Sequence, residues 1–267
     1  MNNYYVFTTI DPSYIDVAFV CITSIRRFTD FPVHIHCVNF SDDEYIRTMN
    51  LFSRFVNIEL VMEQIHVTTA TSTANDRLYC KHMDAMSSKI VIFNRHYEPY
   101  MVHIDMDMVF LRDPTFLFKE YSSELIGFKY FGDTINAGFM ILHTDKNFDF
   151  DQYSTEYIRD NINVMQNLEE NFINTQVFTK ELLPESFFYD FAKHRCISPR
   201  TVFIHYNHNN KPWIPSRDIG ADVLWYMSYD KWYEIYNSID KSIVPTLSYG
   251  VELTKSMISK ILGELNQ

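Results

Sequence analysis

Residues 100–111 of the chain read YMVHIDMDMVFL, an apolar run that carries two aspartates one residue apart, Asp105 and Asp107. The run predicts a buried strand that presents both carboxylates at its exposed end. An extended backbone places residues i and i+2 on the same side, so the two side chains can face one divalent cation. Burying unpaired carboxylates here would be costly, whereas a cation with a phosphate group removes that cost. Taken alone, the pair is also compatible with helix capping or arginine binding.

Predicted strands and helices alternate on both sides of this run. Predicted strands cover 4–9, 33–38, 58–62, 125–130, 138–143 and 202–206. Predicted helices cover 12–28, 41–55, 78–93, 150–165, 170–183, 221–239 and 253–265, and the polar stretch 68–75 is a predicted surface loop. Ser41 followed by Glu44 three residues later is typical of a capping box. The alternation favours a layered α/β sheet, organised as one domain with a C-terminal helical lobe.

Composition narrows the functional class. The 267 residues are 46% hydrophobic and 16% aromatic, which is enough for one large core. The formal charge of −11 argues against a nucleic-acid partner, because binding phosphate backbones needs a basic surface. We therefore expect no nucleic-acid binding.

Four cysteines show no CxxC spacing, so reduced thiols in a cytoplasmic protein are expected rather than a zinc site or a disulfide framework. No secretory signal and no run of about 20 apolar residues is present. These features predict a soluble, cytoplasmic protein without a transmembrane segment, and they leave peripheral contact with a membrane surface open.

His205 ends a predicted strand and is followed by amides, then by Lys211 and Pro212. A lone histidine on an apolar strand is more often a packed, hydrogen-bonded residue. Here a neutral imidazole with two carboxylates suits Mn²⁺ or Mg²⁺, and a lysine on a loop stiffened by proline suits a phosphate.

Asn136 stands at the start of a predicted strand, two residues before Gly138. The simplest interpretation is a turn. The functional alternative is an amide that binds sugar hydroxyls, with a glycine that lets a ligand approach the backbone.

Together these motifs resemble the GT-A glycosyltransferases, and most closely glycosyltransferase family eight, the glycogenin and bacterial galactosyltransferase type. The motifs that carry the resemblance, in the family order and over about four fifths of the chain, are TTIDPSY at 8–14, IDMD at 104–107, NAG at 136–138, Gln176, and His205 with KPW at 211–213. The resemblance implies an α/β, Rossmann-like GT-A fold, with a mixed central sheet flanked by helices and a small C-terminal helical lobe. The implied division is a nucleotide-sugar-binding catalytic domain at 1–218 and a helical extension packed on it at 219–267.

Site roles follow from the resemblance by position. Asp105, Asp107 and His205 are implied to hold Mn²⁺ or Mg²⁺ against the diphosphate of a nucleotide sugar, which Lys211 is implied to neutralise. The residues with implied catalytic roles are Asp105, Asp107, Lys211, Gln176 and Asn136. The residues implied to bind the nucleotide sugar are Thr8, Thr9, Asp11, Tyr14, Lys89, Ile104, His208 and Lys211.

The implied reaction is metal-dependent transfer of a hexose, from UDP-glucose or UDP-galactose, to a hydroxyl of a glycan or glycoconjugate acceptor. The resemblance implies retention of configuration. An inverting enzyme would need a carboxylate base, for which Asp133 and Asp218 are the candidates. Two positions differ from the family pattern. The family commonly has a glycine three residues after the metal-binding histidine, where this chain has His208. It often has an acidic residue just before the glutamine, where this chain has Thr175 before Gln176. These differences motivate an alternative, a degenerate GT-A module that binds nucleotide or sugar without turnover.

A nucleotidyltransferase is a further alternative, but it would need a glycine-rich phosphate loop, and the first 40 residues contain no glycine. At the C-terminus, Trp213, Trp225, Tyr229 and Trp232 either pack in a core or stack on acceptor sugar rings, and core packing is favoured. The final helix is expected to pack on the domain or on a second subunit, which leaves a homodimer open.

Overall fold

Apolar runs form the central sheet where the sequence predicts them. The structure, a computed structural model, describes residues 4–65, 84–85, 87–95, 98–129, 134–144, 168–176, 179–190, 197–206, 211–214 and 223–265. The strands are β1 Tyr4–Ile10, β2 Val33–Val38, β3 Ile58–Glu63, β4 Tyr100–Ile104, β5 Met108–Phe110, β6 Leu125–Lys129, β7 Ile135–His143, β8 Lys180–Leu182, β9 Phe188–Asp190 and β10 Phe203–His205. The predicted loop at 68–75 and the predicted helix at 150–165 lie entirely outside the described residues.

Two sheets are formed by these strands. The larger has seven strands in the order β3-β2-β1-β4-β7-β6-β8, and the smaller has the order β5-β10-β9. Strands β3, β2, β1 and β4 are parallel, whereas β7 pairs antiparallel with both β4 and β6. The predicted α/β fold with a mixed central sheet is confirmed.

Helices follow the strands. They are α1 Ile15–Arg26, α2 Asp42–Phe52, α3 Leu168–Gln176, α4 Val223–Asn237 and α5 Pro245–Leu265, and residues 84–85 and 87–93 are also helical. The predicted capping box is confirmed, because Ser41 N donates to Glu44 Oε2 at 2.8 Å and Glu44 N donates to Ser41 Oγ at 3.4 Å. A 3₁₀ turn, Pro12–Tyr14, precedes α1. In the described part of the chain, no helix is both long and apolar enough to span a bilayer.

The core of the large sheet is built from rows of side chains in register. One row joins neighbouring strands through Tyr5, Met101, Leu142 and Leu125, and the next row, on the opposite face, joins Val6, Val102, Ile141 and Ile126. All eight side chains are buried. Burial of both faces is why these strands read as continuous apolar runs rather than as alternating patterns.

A buried polar chain fixes the parallel strands to one another. His36 on β2 lies with Nε2 3.0 Å from the Tyr5 hydroxyl and Nδ1 2.9 Å from Glu63 Oε1, and Arg95 donates to both oxygens of Glu63. A neutral imidazole that donates to Glu63 and accepts from Tyr5 satisfies both contacts. Burial lowers the pKa of His36 to about 4, although the Glu63 carboxylate acts in the opposite direction.

The chain forms two compact units. One contains residues 1–15, 30–105 and 116–184, with the large sheet, α2 and α3; the other contains residues 16–29, 106–115 and 185–267, with α1, the small sheet, α4 and α5. The division at residue 218 that the sequence predicts stays a prediction.

The short strands β8 and β9 were not predicted, β5 falls within the run 100–111 that was predicted as one strand, and one predicted helix runs too far. The helix predicted at 170–183 ends at Gln176, and residues 180–182 form β8 instead, paired parallel with β6. The final helix begins at Pro245, eight residues earlier than predicted, which suits a proline in the first helical turn. Strands of three residues, such as β5, β8 and β9, are too short to show a period.

We expect the stability of the protein to fall in acid through His36. Its pKa is lower in the folded chain than its ordinary value of 6.5, so the unfolded chain takes up the proton first as the pH falls. The stabilisation is fully present above pH 6.5 and is lost toward pH 4. The His36→Gln variant lacks this titration, so its deficit against wild type should shrink by about 2 kcal/mol between pH 7.5 and 4.5.

Urea unfolding at both pH values measures the change. A deficit that is the same at pH 7.5 and 4.5 would contradict a neutral, buried His36.

Candidate metal centre

Asp105 follows the last residue of β4 and is held by its neighbours on the large sheet. Its backbone N–H donates to Gly138 O at 2.7 Å, which continues the β4–β7 pairing by one residue. Lys89, buried on the helical segment 87–93, lies with Nζ 3.2 Å from Asp105 Oδ1. The imidazole of His103, fully buried on β4, places Nε2 3.6 Å from the same oxygen. The carboxylate is therefore hydrogen-bonded by Lys89 and lies beside the His103 imidazole.

Asp107 precedes β5 and is held from the neighbouring strand β10. The antiparallel register places His205 opposite Met108, and Tyr206 N donates to Asp107 O at 2.9 Å. As a result His205 Nε2 lies 3.2 Å from Asp107 Oδ1. On the other carboxylate oxygen, Lys211 Nζ donates to Oδ2 at 2.6 Å. One aspartate thus faces an imidazole and an ammonium at the same time.

Burial and charge act against each other at Asp107, where the side chain is nearly buried, as are those of His205 and Lys211. Burial would raise the pKa of the Asp107 carboxyl, but the nearby Lys211 ammonium and His205 imidazole more than offset this and hold the pKa well below its usual range. The carboxylate therefore stays ionised and available as a ligand.

Three of the predicted residues form a candidate metal site. Asp105, Asp107 and His205 each offer one ligand atom, and these atoms all lie within 4.8 Å of one another. Asp107 Oδ1 is buried and lies 3.2 Å from His205 Nε2, so two of the three candidate ligand atoms are neighbours. The donor set of two carboxylates and one imidazole fits Mn²⁺ or Mg²⁺.

The reason the two aspartates meet differs from the prediction. We expected one extended strand with both side chains on the same side. Instead, β4 ends at Ile104 and β5 begins at Met108, and the aspartates lie in the bend that joins the two strands. Ile104 itself is buried in the core.

Asn136 lies within β7 rather than in a turn before the predicted strand, and helix α3 fixes the strand around it. Its Oδ1 accepts from Gly138 N at 2.8 Å, which leaves the amide nitrogen as the group that can donate outward. Glu170 Oε2 accepts from Ala137 N at 3.0 Å. The Asn174 side chain binds both backbone groups of Ile135, accepting from N and donating to O at 2.9 Å each.

His103, Glu170 and Asn174 were missed by the sequence reasoning. His103 is a polar side chain in an otherwise apolar strand, and that signal could have pointed to it, whereas Glu170 and Asn174 lie in the mostly polar stretch LEENFINTQ and give no such signal. Their partners could not be inferred, because those of Glu170 and Asn174 lie more than 30 residues away in the sequence.

The N-terminal candidates lie at the carboxyl end of β1. Thr8 is fully buried, and its hydroxyl makes no hydrogen bond within the described residues. Thr9 Oγ1 donates to Ala85 O at 2.9 Å, and Asp11 caps the 3₁₀ turn by accepting from Ser13 N at 2.7 Å. Tyr14 ends that turn and is half-buried. Thr9 and Asp11 therefore already have structural roles.

Four further candidates cannot be placed as side chains. Gln176 is the last residue of α3, but its side chain lies outside the described structure. His208 lies outside the described residues altogether, as do Asp133 and Asp218. Their roles stay predictions.

Acceptor stacking on Trp213, Tyr229 and Trp232 is wrong as a hypothesis, because all three side chains are buried. The Trp213 and Trp232 rings pack against each other with centroids 5.2 Å apart. The favoured interpretation, core packing, is correct for these three residues, and the Trp225 side chain lies outside the described structure.

We expect Lys211→Met to destabilise the protein, because it leaves the buried Asp107 carboxylate without its ammonium partner. The free energy of unfolding should fall by about 3 kcal/mol in chelator-treated protein. Lys231→Met removes an exposed lysine that pairs with Glu234 at 3.7 Å, and this control should change stability by less than about 0.5 kcal/mol. Denaturant unfolding of both variants measures the difference. Equal losses would mean that the buried Asp107–Lys211 pair contributes no more to stability than an exposed ion pair does.

Comparison with known proteins is informative at the level of the fold. No protein-family model and no curated protein matches the sequence. Among solved structures, the galactosyltransferase LgtC in complex with donor and acceptor sugar analogues matches with a TM-score of 0.65 and 16% identity, over 91% of this chain and 100% of that chain. The glycosyltransferase GlyE of Streptococcus pneumoniae matches with a TM-score of 0.59 and 15% identity, over 91% of this chain and 64% of that chain. Mouse xyloside xylosyltransferase 1 matches with a TM-score of 0.52 and 10% identity, over 77% of this chain and 98% of that chain. The chain therefore has the GT-A glycosyltransferase fold, and its resemblance to glycosyltransferase family eight is confirmed at the level of the fold.

Proposed function

We propose that the protein is a metal-dependent glycosyltransferase that transfers a hexose from a UDP-sugar, UDP-glucose or UDP-galactose, to a hydroxyl of a glycan or glycoconjugate. The observation that carries the proposal is the setting of Asp107, a buried carboxylate that faces His205 on one oxygen and Lys211 on the other. This arrangement suits a site that binds a cation and an anion side by side, as a metal–diphosphate pair requires. The shared fold with LgtC supports the same proposal.

The chain's own residues suit departure of a diphosphate. When the bond from the anomeric carbon breaks, negative charge develops on the leaving phosphate oxygen. The Lys211 ammonium, which neutralises Asp107 in this structure, is the group that would stabilise that charge. Lys89 would place a second positive charge beside Asp105 on the donor side. Neither residue has to act as a proton donor.

Asp105, Asp107 and His205 are the residues that would hold Mn²⁺ or Mg²⁺. A cation bound there supplies Lewis-acid stabilisation of the diphosphate. The chain's contribution is to place charged side chains beside the ligands, with Lys89 beside Asp105 and Lys211 beside Asp107, where Lys211 also helps to keep the carboxylate ionised.

Donor binding is proposed for residues at the carboxyl end of β1 and on β7. In this proposal Thr8, Tyr14 and the backbone near Asp11 contact the base and ribose, and Asn136 and Gln176 contact the sugar. Ligands of open α/β sheets bind at the carboxyl ends of strands, which supports the first group. Since the side chains of Thr9 and Asp11 are already bonded within the chain, a contact through their backbone is the simpler proposal.

A binding module without turnover is the second candidate. Thr175 in place of an acid motivates it, and this residue donates to Phe172 O at 2.7 Å within α3 rather than supplying a charge. Retention of configuration, the division at residue 218 and the acceptor are proposed from the family resemblance. An inverting reaction is distinguished from a retaining one by the anomeric configuration of the product.

We expect chelator-sensitive release of UDP. Purified protein is incubated with each of several UDP-sugars and Mn²⁺, with and without EDTA, and free UDP is measured. Release from UDP-glucose or UDP-galactose that EDTA abolishes is the expected result. No release with any sugar or acceptor, combined with thermal stabilisation by UDP and Mn²⁺, would favour the binding module. No stabilisation either would contradict the proposed function.

We expect Asp107→Asn to lower turnover by at least 100-fold, because a neutral amide is a poor ligand for Mn²⁺ and a poor partner for Lys211. The matched control is Asp113→Asn, an exposed aspartate whose oxygen accepts from Thr115 N at 2.9 Å, a contact that asparagine can keep. The control should retain turnover within about twofold. Turnover of Asp107→Asn equal to that of the control would remove Asp107 from the metal site.

A further inference from the structure

Lys211 lies in a closely held turn. Residues 211–214 form a turn in which Ile214 N donates to Lys211 O at 3.0 Å. The ammonium of Lys211 lies 2.6 Å from Asp107 Oδ2 and 5.7 Å from the centre of the Trp213 ring. The position of this ammonium therefore depends on where the backbone of the turn lies.

Helix α5 contacts the turn through a glycine. A Cβ atom built on Gly250 would lie 2.0 Å from the carbonyl oxygen of Trp213 and 3.1 Å from its carbonyl carbon. No side chain fits there unless backbone moves, because both atoms belong to the main chain. The start of α5 is itself fixed, since Thr246 N donates to the buried Asp16 carboxylate at 2.9 Å.

Helix α4 contacts the same turn through a hydroxyl. The Tyr233 side chain is buried, and its hydroxyl donates to Pro212 O at 3.1 Å. The aromatic ring of Trp232 packs against Trp213 from the same helix. The carbonyls of two consecutive residues, Pro212 and Trp213, are thus each met by a different C-terminal helix.

We propose that Gly250 and Tyr233 are positioning residues that set the ammonium of Lys211 for charge developing on a diphosphate. In this proposal the aromatic helices α4 and α5 hold the turn that carries the Lys211 ammonium, and so they act on the donor rather than on the acceptor. The catalytic part of this inference rests on the proposed function, whereas its geometric part, that these residues act through Lys211, does not. Displacing a catalytic group by about 1 Å can cost about 100-fold in rate.

The first test uses a matched pair of tyrosines on α4. Tyr233→Phe removes the hydroxyl that binds Pro212, and Tyr236→Phe removes a buried hydroxyl that instead lies 3.1 Å from Ser248 Oγ. We expect Tyr233→Phe to lower kcat about fivefold at an unchanged KM for the acceptor, as loss of one buried hydrogen bond to a catalytic loop implies. Tyr236→Phe should keep kcat within about twofold. Equal kcat values for the two variants would overturn the proposal.

The second test uses neighbouring residues on α5. Gly250→Ala should lower kcat by more than about tenfold, because the Trp213 carbonyl has to move. Val251→Ala, which removes a fully buried side chain one residue later, should lower the melting temperature but keep kcat within about twofold. A larger loss of kcat in Val251→Ala than in Gly250→Ala would contradict the assignment to Gly250.

A third measurement needs no activity, so it separates failure of this inference from failure of the proposed function. Melting temperatures are measured for Tyr233→Phe and Tyr236→Phe, each with and without Lys211→Met, in chelator-treated protein. If Tyr233 acts through Lys211, the shift caused by Tyr233→Phe should be smaller in the Lys211→Met background, whereas that of Tyr236→Phe should be the same in both.

Two outcomes of this cycle decide the question. Additive shifts for Tyr233→Phe would overturn the positioning role even if the wild-type protein releases UDP. Coupled shifts in a protein that releases no UDP would support the geometry and count against the glycosyltransferase proposal alone.

Discussion

A buried negative charge is the constraint around which the candidate site is arranged. Asp107 cannot remain ionised beside the apolar strands β5 and β10 unless positive or metal-binding groups surround it. Lys211 and His205 satisfy this requirement from two separate segments, one by an ammonium and one by an imidazole. The register of β10 against β5 and the turn at 211–214 can both be understood as means of bringing those groups to one carboxylate. The same charge that must be compensated in the free protein is the charge that would hold a cation.

Much of the fold could be predicted from the sequence, because buried strands give a characteristic hydrophobic pattern. The strands that cross the middle of the large sheet are buried on both faces, so they appear as uninterrupted apolar runs, and their positions were predicted within a few residues. The short strands β8 and β9 could not be predicted, since three residues carry no period, whereas β10 is equally short but lies within the apolar run 202–206. Likewise, nothing in the sequence says that β4 stops at Ile104 and that the chain bends before β5. The two strands on either side of the bend pair within different sheets, with partners that are distant in the sequence.

The candidate site was only partly predictable, for a chemical reason. Residue types that bind metals are few, so Asp105, Asp107 and His205 stood out, and their ligand atoms do lie together. Supporting residues use common side chains in ordinary places, as Glu170 on α3 and Gly250 on α5 illustrate. Aromatic residues are ambiguous for a similar reason: a tryptophan that binds sugar and one that fills a core look alike in a sequence. At Trp232 only the packing decides, and the ring is buried.

Helix α3 holds the first residue of β7 through a single amide. The Asn174 side chain accepts from Ile135 N and donates to Ile135 O, so it acts as a neighbouring strand would. Aspartate has almost the same shape, but its second oxygen would face the Ile135 carbonyl and repel it. The position therefore requires an acceptor and a donor on one short side chain, a combination that an amide provides and a carboxylate does not.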